Sequence, residues 1–213
     1  MSENTSTKWT RSQKIRAVLA GGVVLGVGAA VTLAAWNDSE FAQGDFTAGS
    51  FNLEGSLDNL TYTEHDTAGT AAVVFDATTG NGGNMSPDDV VYQAYWVRLD
   101  APTTSDATMV LDTTTNTATG TNAPNLSYSV YELAPAATCD ATTVATAPVV
   151  GSGTSLTDRT AGTTVNLTAN AAGTPGDAVQ LCFEVTAAAE GTLIEGGPAS
   201  TVWGFQATSV SDY

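Results

Sequence analysis

Beyond residue 45 the chain repeatedly alternates apolar and polar residues with a period of two, and no stretch there carries the period of a helix. Leu126, Tyr128 and Val130 alternate with Ser127 and Ser129, and Leu181, Phe183 and Val185 alternate with Cys182, Glu184 and Thr186. Successive side chains of a strand point to opposite faces, so this pattern specifies strands with one face buried. Residues 46–53, 71–76, 90–99, 107–112, 163–168 and 201–208 read the same way less cleanly. Clusters of Gly, Pro, Asn, Asp and Thr separate them, and Gly80-Asn81-Gly82-Gly83-Asn84 and Gly151-Ser152-Gly153 read as loops. Such a series of short strands predicts an all-β domain, a single jelly roll or β-sandwich, over residues 46–213. On this pattern Cys182 faces away from Leu181 and Phe183, so it is expected near the outside of the sandwich.

The first 35 residues are of a different kind. Lys8, Arg11, Lys14 and Arg16 precede Ala17–Ala35, nineteen residues without a charge. A basic stretch followed by an apolar one is the order of a signal peptide. A run of that length could also just span a bilayer, which takes about 20 apolar residues, so an uncleaved membrane anchor competes with cleavage. Cutting after Ala35 puts Leu33 where a small residue is preferred, which favours either the anchor or a specialised peptidase. The predicted organisation is therefore 1–35 signal peptide or anchor, a short segment 36–45, and the domain 46–213. The membrane is expected to be touched only through the export segment.

After Ala35 the chain holds 21 of the 22 acidic residues and two of the six basic ones, Arg98 and Arg159, and no lysine. Such a surface repels phosphate backbones and anionic lipid, because binding either needs positive charge. Nucleic acid is excluded as a partner on that ground. Two cysteines in an exported chain are most simply one bridge, Cys139 to Cys182, which would stabilise the fold by roughly 4 kcal/mol.

A search for catalytic chemistry finds none. His65 is the single histidine, so neither an HExxH zinc site nor a serine triad with its own elbow can be assembled. Asp88-Asp89 follows Ser86-Pro87 and reads as a turn before the strand at Val90, not as a pair of acid and base carboxylates. No phosphate-binding glycine loop and no Asp-x-Asp-x-Asp-Gly calcium loop occurs. No cofactor, metal or catalytic residue is expected, and the chain is read as a non-enzyme.

Ala34-Ala35-Trp36-Asn37-Asp38-Ser39-Glu40, followed by Phe46-Thr47-Ala48-Gly49-Ser50-Phe51-Asn52-Leu53, resembles the processing junction and first strand of the TasA and camelysin (CalY) family of secreted Gram-positive proteins. Asn84-Met85-Ser86-Pro87-Asp88-Asp89 is similar to that family's Pro-Gly-Asp loop, with Asp88 in place of the Gly, and Trp203-Gly204-Phe205-Gln206-Ala207-Thr208 looks like its closing strand. The match covers about a third of the chain, and the disulfide departs from the best-known members, which suggests an actinobacterial branch. The resemblance implies cleavage between Ala35 and Trp36 by a signal peptidase of the SipW type and secretion to the cell surface or beyond. It also implies a jelly-roll subunit of biofilm-matrix fibres that polymerises with itself head to tail by donor-strand complementation. Residues 36–45, with Trp36, Phe41 and Ala42 as apolar anchors, would be the donor segment. The alternatives are a monomeric surface adhesin or binding module, and a camelysin-like metallopeptidase.

Overall fold

The computed structural model describes residues 10–32, 50–65, 67, 82–114, 117–171 and 173–210. They fall into two units, one within residues 1–46 and one within 47–213. The first unit is helix α1, Arg11–Thr32. Its start is half of a capping box: the Thr10 backbone N–H donates to Gln13 Oε1 at 3.0 Å, three residues on. Among the described residues no helix meets the length and hydropathy of a bilayer span. The apolar run read in the sequence ends at Ala35, three residues past the end of α1.

The second unit is all-β. Its strands are β1 (Leu53–Ser56), β2 (Val90–Leu99), β3 (Ala107–Leu111), β4 (Leu126–Leu133), β5 (Val149–Gly153), β6 (Thr160–Ala161), β7 (Val165–Leu167), β8 (Val179–Ala187) and β9 (Phe205–Ser209). A one-turn helix α2, Ala141–Val144, lies between β4 and β5. A six-stranded sheet runs β1-β2-β8-β4-β5-β6 and a three-stranded sheet β7-β3-β9, with every named pairing antiparallel. One core lies between them: Val91, Tyr95, Val97 and Leu99 of β2, Leu126, Tyr128 and Val130 of β4, and Leu181, Phe183 and Val185 of β8 meet Met109, Leu111, Val165 and Leu167 of the small sheet. The alternation read at Leu126 and Leu181 is the alternation of this inner face.

Three readings shift. Gly151-Ser152-Gly153, read as a loop, belongs to β5 and pairs with β4 and β6. The glycines are there for space: a Cβ on Gly151 would collide with the Leu111 side chain of the opposite sheet. The strand expected over 46–53 begins only at Leu53, residues 46–49 lying outside the described residues. The strand expected over 201–208 begins at Phe205. The strand expected over 71–76 lies outside the described residues.

Cys182 does sit on the outward face of β8, opposite Phe183, yet it is 0% exposed. The connection from β4 to β5 folds over that face, and Leu133, Val144 and Cys182 form a second, smaller cluster there, with Tyr92, Tyr131, Ala137, Cys139 and Ala147 at its margin. The Cys139–Cys182 disulfide, with Cα atoms 5.4 Å apart, fastens the connection to the sheet. Asp140 begins α2 by accepting the N–H groups of Thr142 and Thr143 at 3.0 and 2.9 Å. Those bonds hold its carboxyl below the usual aspartate range.

Asp88-Asp89 forms the expected turn: the Asp89 N–H donates to the Ser86 carbonyl at 3.1 Å, and Asp89 Oδ2 accepts the Ser86 N–H at 2.6 Å. Asp88 has φ of 65°, the left-handed region where glycine carries no Cβ cost. The one position at which the turn departs from Pro-Gly-Asp is thus a position that suits Gly. Asp88→Gly is expected to raise stability by up to about 1 kcal/mol, or the melting temperature by roughly 2–4 °C. A lower melting temperature would show that the Asp88 side chain contributes more than its backbone costs.

Candidate assembly surface

Strand β9 has β3 on one side and no strand on the other among the described residues. Their register runs from Leu111↔Phe205 to Ala107↔Ser209. The Asp112 N–H donates to the Gly204 carbonyl at 2.8 Å and the Val210 N–H to the Asp106 carbonyl at 2.7 Å. Hydrogen-bonded and non-hydrogen-bonded pairs alternate along an antiparallel ladder. Gln206 and Thr208 therefore bond to β3, while Phe205, Ala207 and Ser209 turn their N–H and C=O groups to the free edge. The Phe205 and Ala207 side chains lie against the core and those of Gln206 and Thr208 are exposed. The other outer strands offer less. The outer side of β1 is engaged where Gly55 and Thr63 exchange two backbone hydrogen bonds of 2.9 and 3.0 Å, and β6 and β7 have two and three residues.

A cleft of about 250 Å³ opens beside the start of β9. Its walls are Val91, Leu126 and Val185, from adjacent ends of β2, β4 and β8, with Met85, Leu156 and Trp203, and Ser200 and Thr201 make part of it polar. An apolar cavity of roughly 150 Å³ already takes up benzene, so the cleft has room for an aromatic side chain. Trp203 stands with its ring centroid 4.9 Å from Phe183 and 5.4 Å from Tyr128.

Arg159 holds this wall in place. Its Nη1 donates to the carbonyls of Leu156 and Asp158, both at 2.7 Å, and its Nη2 to Thr201 Oγ1 at 2.5 Å and the Val202 carbonyl at 3.0 Å. The guanidinium thereby ties the approach to β9 to the loop after β5. It also lies 5.4 Å from the Tyr128 ring centroid. Burial pushes the Tyr128 hydroxyl above its ordinary range, and the Arg159 charge opposes that shift.

The residues singled out for chemistry are scattered. His65 is half-buried with Nδ1 3.3 Å from the Tyr95 hydroxyl and Nε2 3.2 Å from Thr63 Oγ1. Burial raises the Tyr95 hydroxyl to about 12, so it is a neutral partner at physiological pH. Asp88 and Asp89 lie in their turn, and the disulfide lies on the outward face of the large sheet, away from the cleft. Among the described residues no group of three or more His, Cys, Asp or Glu is placed to hold a metal ion. The junction at Ala35 and Trp36 and the segment with Phe41 and Ala42 lie outside the described residues. The free edge of β9 and the role of Arg159 were not read from the sequence. An arginine next to Asp158 suggests an ion pair there, and its actual partners are mostly backbone carbonyls.

No protein-family model matches this chain, and no curated protein matches it significantly.

Proposed function

We propose that the chain is a secreted jelly-roll subunit of extracellular, biofilm-matrix fibres. Export by residues 1–35 and cleavage between Ala35 and Trp36 by a SipW-type peptidase free residues 36–45, which complete the sheet of the next copy. The observation that carries this reading is the β9 edge, which has no partner strand among the described residues, beside a cleft lined in part by apolar side chains. An added strand would bond to the outward N–H and C=O groups of Phe205, Ala207 and Ser209, each bond contributing about 1 kcal/mol net. Trp36 or Phe41 in the cleft would add roughly 2–3 kcal/mol. A donor at one end of the chain and an acceptor elsewhere on the domain make a contact that does not close on itself, so it propagates as a filament. The TasA-like and camelysin-like junction supports the same reading.

The sequence supplies an unusual probe. Lys8 and Lys14 are the lysines of the chain, so a chain starting at Trp36 has one primary amine, its N-terminus. An amine-reactive dye is expected to label single copies at one site and to label polymer poorly, because the donor end is buried. Deleting residues 36–45, or replacing Trp36 and Phe41 with Ser, is expected to reduce sedimentable polymer by at least about tenfold, as loss of 1.4 kcal/mol or more per contact requires. N-terminal sequencing of secreted protein checks the cut. Retention of Ala17–Ala35 in the secreted protein, or a truncated domain that polymerises like the intact one, would overturn the proposal. A surface adhesin would use the same cleft for a ligand and would remain single in both sedimentation and electron microscopy.

A further inference from the structure

Directly after β1 the chain holds out an apolar tip. Gly55 and Thr63 exchange backbone hydrogen bonds of 2.9 and 3.0 Å and so close the base of a loop, residues 56–62. Within it Asp58 Oδ1 accepts the Ser56 hydroxyl at 2.9 Å and the N–H groups of Leu60 and Thr61 at 2.9 and 2.8 Å, and the Tyr62 hydroxyl donates to Asn59 Oδ1. An aspartate that binds the backbone two and three residues on fixes a turn while leaving it in water. The turn carries Leu57, 47% exposed, and Leu60, 84% exposed, the most exposed large apolar side chain among the described residues. A leucine presented this rigidly has little further entropy to lose on docking.

A cation stands beside the tip. The Arg98 guanidinium lies 3.7 Å from the centroid of the Tyr62 ring, and its Nε donates to Glu54 Oε1 at 2.6 Å. These contacts fix its plane and leave Nη1 and Nη2 without a hydrogen-bond partner among the described residues. A fork of N–H donors held in this way suits a carboxylate. With 21 acids and two bases after Ala35, the surface of another copy offers carboxylates in abundance.

The cleft carries the complementary pair. Met85 and Val91 line it, and the exposed Asp88 stands midway between them in the chain. The Asp88 N–H donates to the Ala188 carbonyl at 3.3 Å, and its carboxylate makes no hydrogen bond among the described residues. An apolar hollow with a carboxylate at its rim thus matches an apolar tip with a guanidinium at its side.

We propose that residues 56–62 of one copy seat against the cleft of a second copy, with the Leu60 side chain in the cleft and Arg98 paired with Asp88. Size supports it: the cleft holds about 250 Å³, and a cavity of roughly 150 Å³ already takes benzene, a group no smaller than a leucine side chain. Position supports it as well. The tip lies beyond β1, at one margin of the large sheet, whereas β2, β4 and β8 wall the cleft. A copy therefore gives with one surface and receives with another, and the contact extends head to tail. It buries less than a standard interface, so a Kd on the order of 100 µM is expected for one pair. The contact rests on the proposed fibre only in reading the cleft as an acceptor between copies; it needs neither cleavage nor residues 36–45.

Sedimentation velocity of the full chain over a concentration series tests it. Leu60→Asp is expected to weaken self-association at least about tenfold and Asp88→Arg at least about fivefold, with the melting temperature of Leu60→Asp unchanged. An equal mixture of these two variants should form pairs and nothing larger, since each supplies one sound surface. If Asp88→Arg does not fold, Asp88→Gly keeps the test: its association should fall roughly two- to fivefold. Self-association indifferent to Leu60→Asp and to both Asp88 variants would overturn the contact, as would none up to about 1 mM, ten times the expected Kd. Association that is lost in Trp36→Ser with Phe41→Ser but kept in Leu60→Asp would overturn it while supporting the donor strand. Association kept in Trp36→Ser with Phe41→Ser and lost in Leu60→Asp supports the contact and removes the donor strand.

Discussion

Replacing Cys139 and Cys182 together with serine is expected to lower stability by about 4 kcal/mol. The bond closes a loop with a sequence separation of 43, and the chain-entropy relation for a loop of that length gives about 4 kcal/mol at 25 °C. For a domain of this size that corresponds to a fall in melting temperature of roughly 8–16 °C. The loss should be concentrated where the bond acts. Without it the β4–β5 connection can lift from Tyr92 and Tyr131, and α2 is too short to hold itself in water. Thermal unfolding of the oxidised, reduced and doubly substituted chains measures the effect, and the last two should agree. The disulfide is on the face of β8 opposite the cleft, so the substituted chain should still assemble at low temperature if the parent does. A change in melting temperature below about 2 °C, or two free thiols in the chain purified without reductant, would remove the structural role of the bond.

The inner face of the domain was legible because its pattern is local. A period of two at Leu126–Val130 and at Leu181–Val185 states which side chains share a face, and the core between the sheets consists of those side chains. The direction of Cys182 was legible for the same reason. Its burial was not, because what covers it is Ala137, Val144 and Ala147 from a stretch with no period, placed there by the disulfide and a one-turn helix. Gly151 and Gly153 misled for a related reason. Glycine is depleted in strands unless another chain segment must come close; at Gly151 that segment is Leu111, 40 residues away in sequence, and at Gly153 it is the Tyr128 ring and the Ser155 and Asp158 carbonyls. The candidate site was legible least. Its edge depends on which strands end up side by side, and its wall on Arg159 reaching Thr201 and Val202, 42 and 43 residues further on.

Charge shapes any assembly of this chain more than the site alone suggests. The domain and the segment 36–45 are both acidic, with Asp38, Glu40 and Asp45 in the segment. Like charges slow the encounter of copies, and salt screens that repulsion over about 8–10 Å at physiological strength. Strand pairing and apolar contact in the cleft are screened little. Polymerisation by this route therefore strengthens with added salt, opposite to an interface built on ion pairs.

Phe183→Ala is the other large effect, expected to cost about 3–5 kcal/mol, the range for removing a buried aromatic side chain. Phe183 is 1% exposed and stands under both β9 and the cleft, in edge contact with Phe205 and at 4.9 Å from Trp203. Each aromatic pair is worth roughly 0.5–1.5 kcal/mol beyond burial, so the substitution loosens the small sheet as well as leaving a cavity. Phe183→Leu keeps most of the volume and should cost less than half as much. A double-mutant cycle separates the two faces of β8. Phe183→Ala and Trp203→Ala should couple by about 0.5 kcal/mol or more, since the rings touch. Phe183→Ala and the double cysteine substitution should be close to additive, although Cys182 and Phe183 are neighbours in sequence, because their side chains enter separate clusters. Chemical denaturation of the six chains gives the cycle. A cost below about 1 kcal/mol for Phe183→Ala would mean that β8 does not present this face to the core, and the placement of the cleft and of the β9 edge would fall with it.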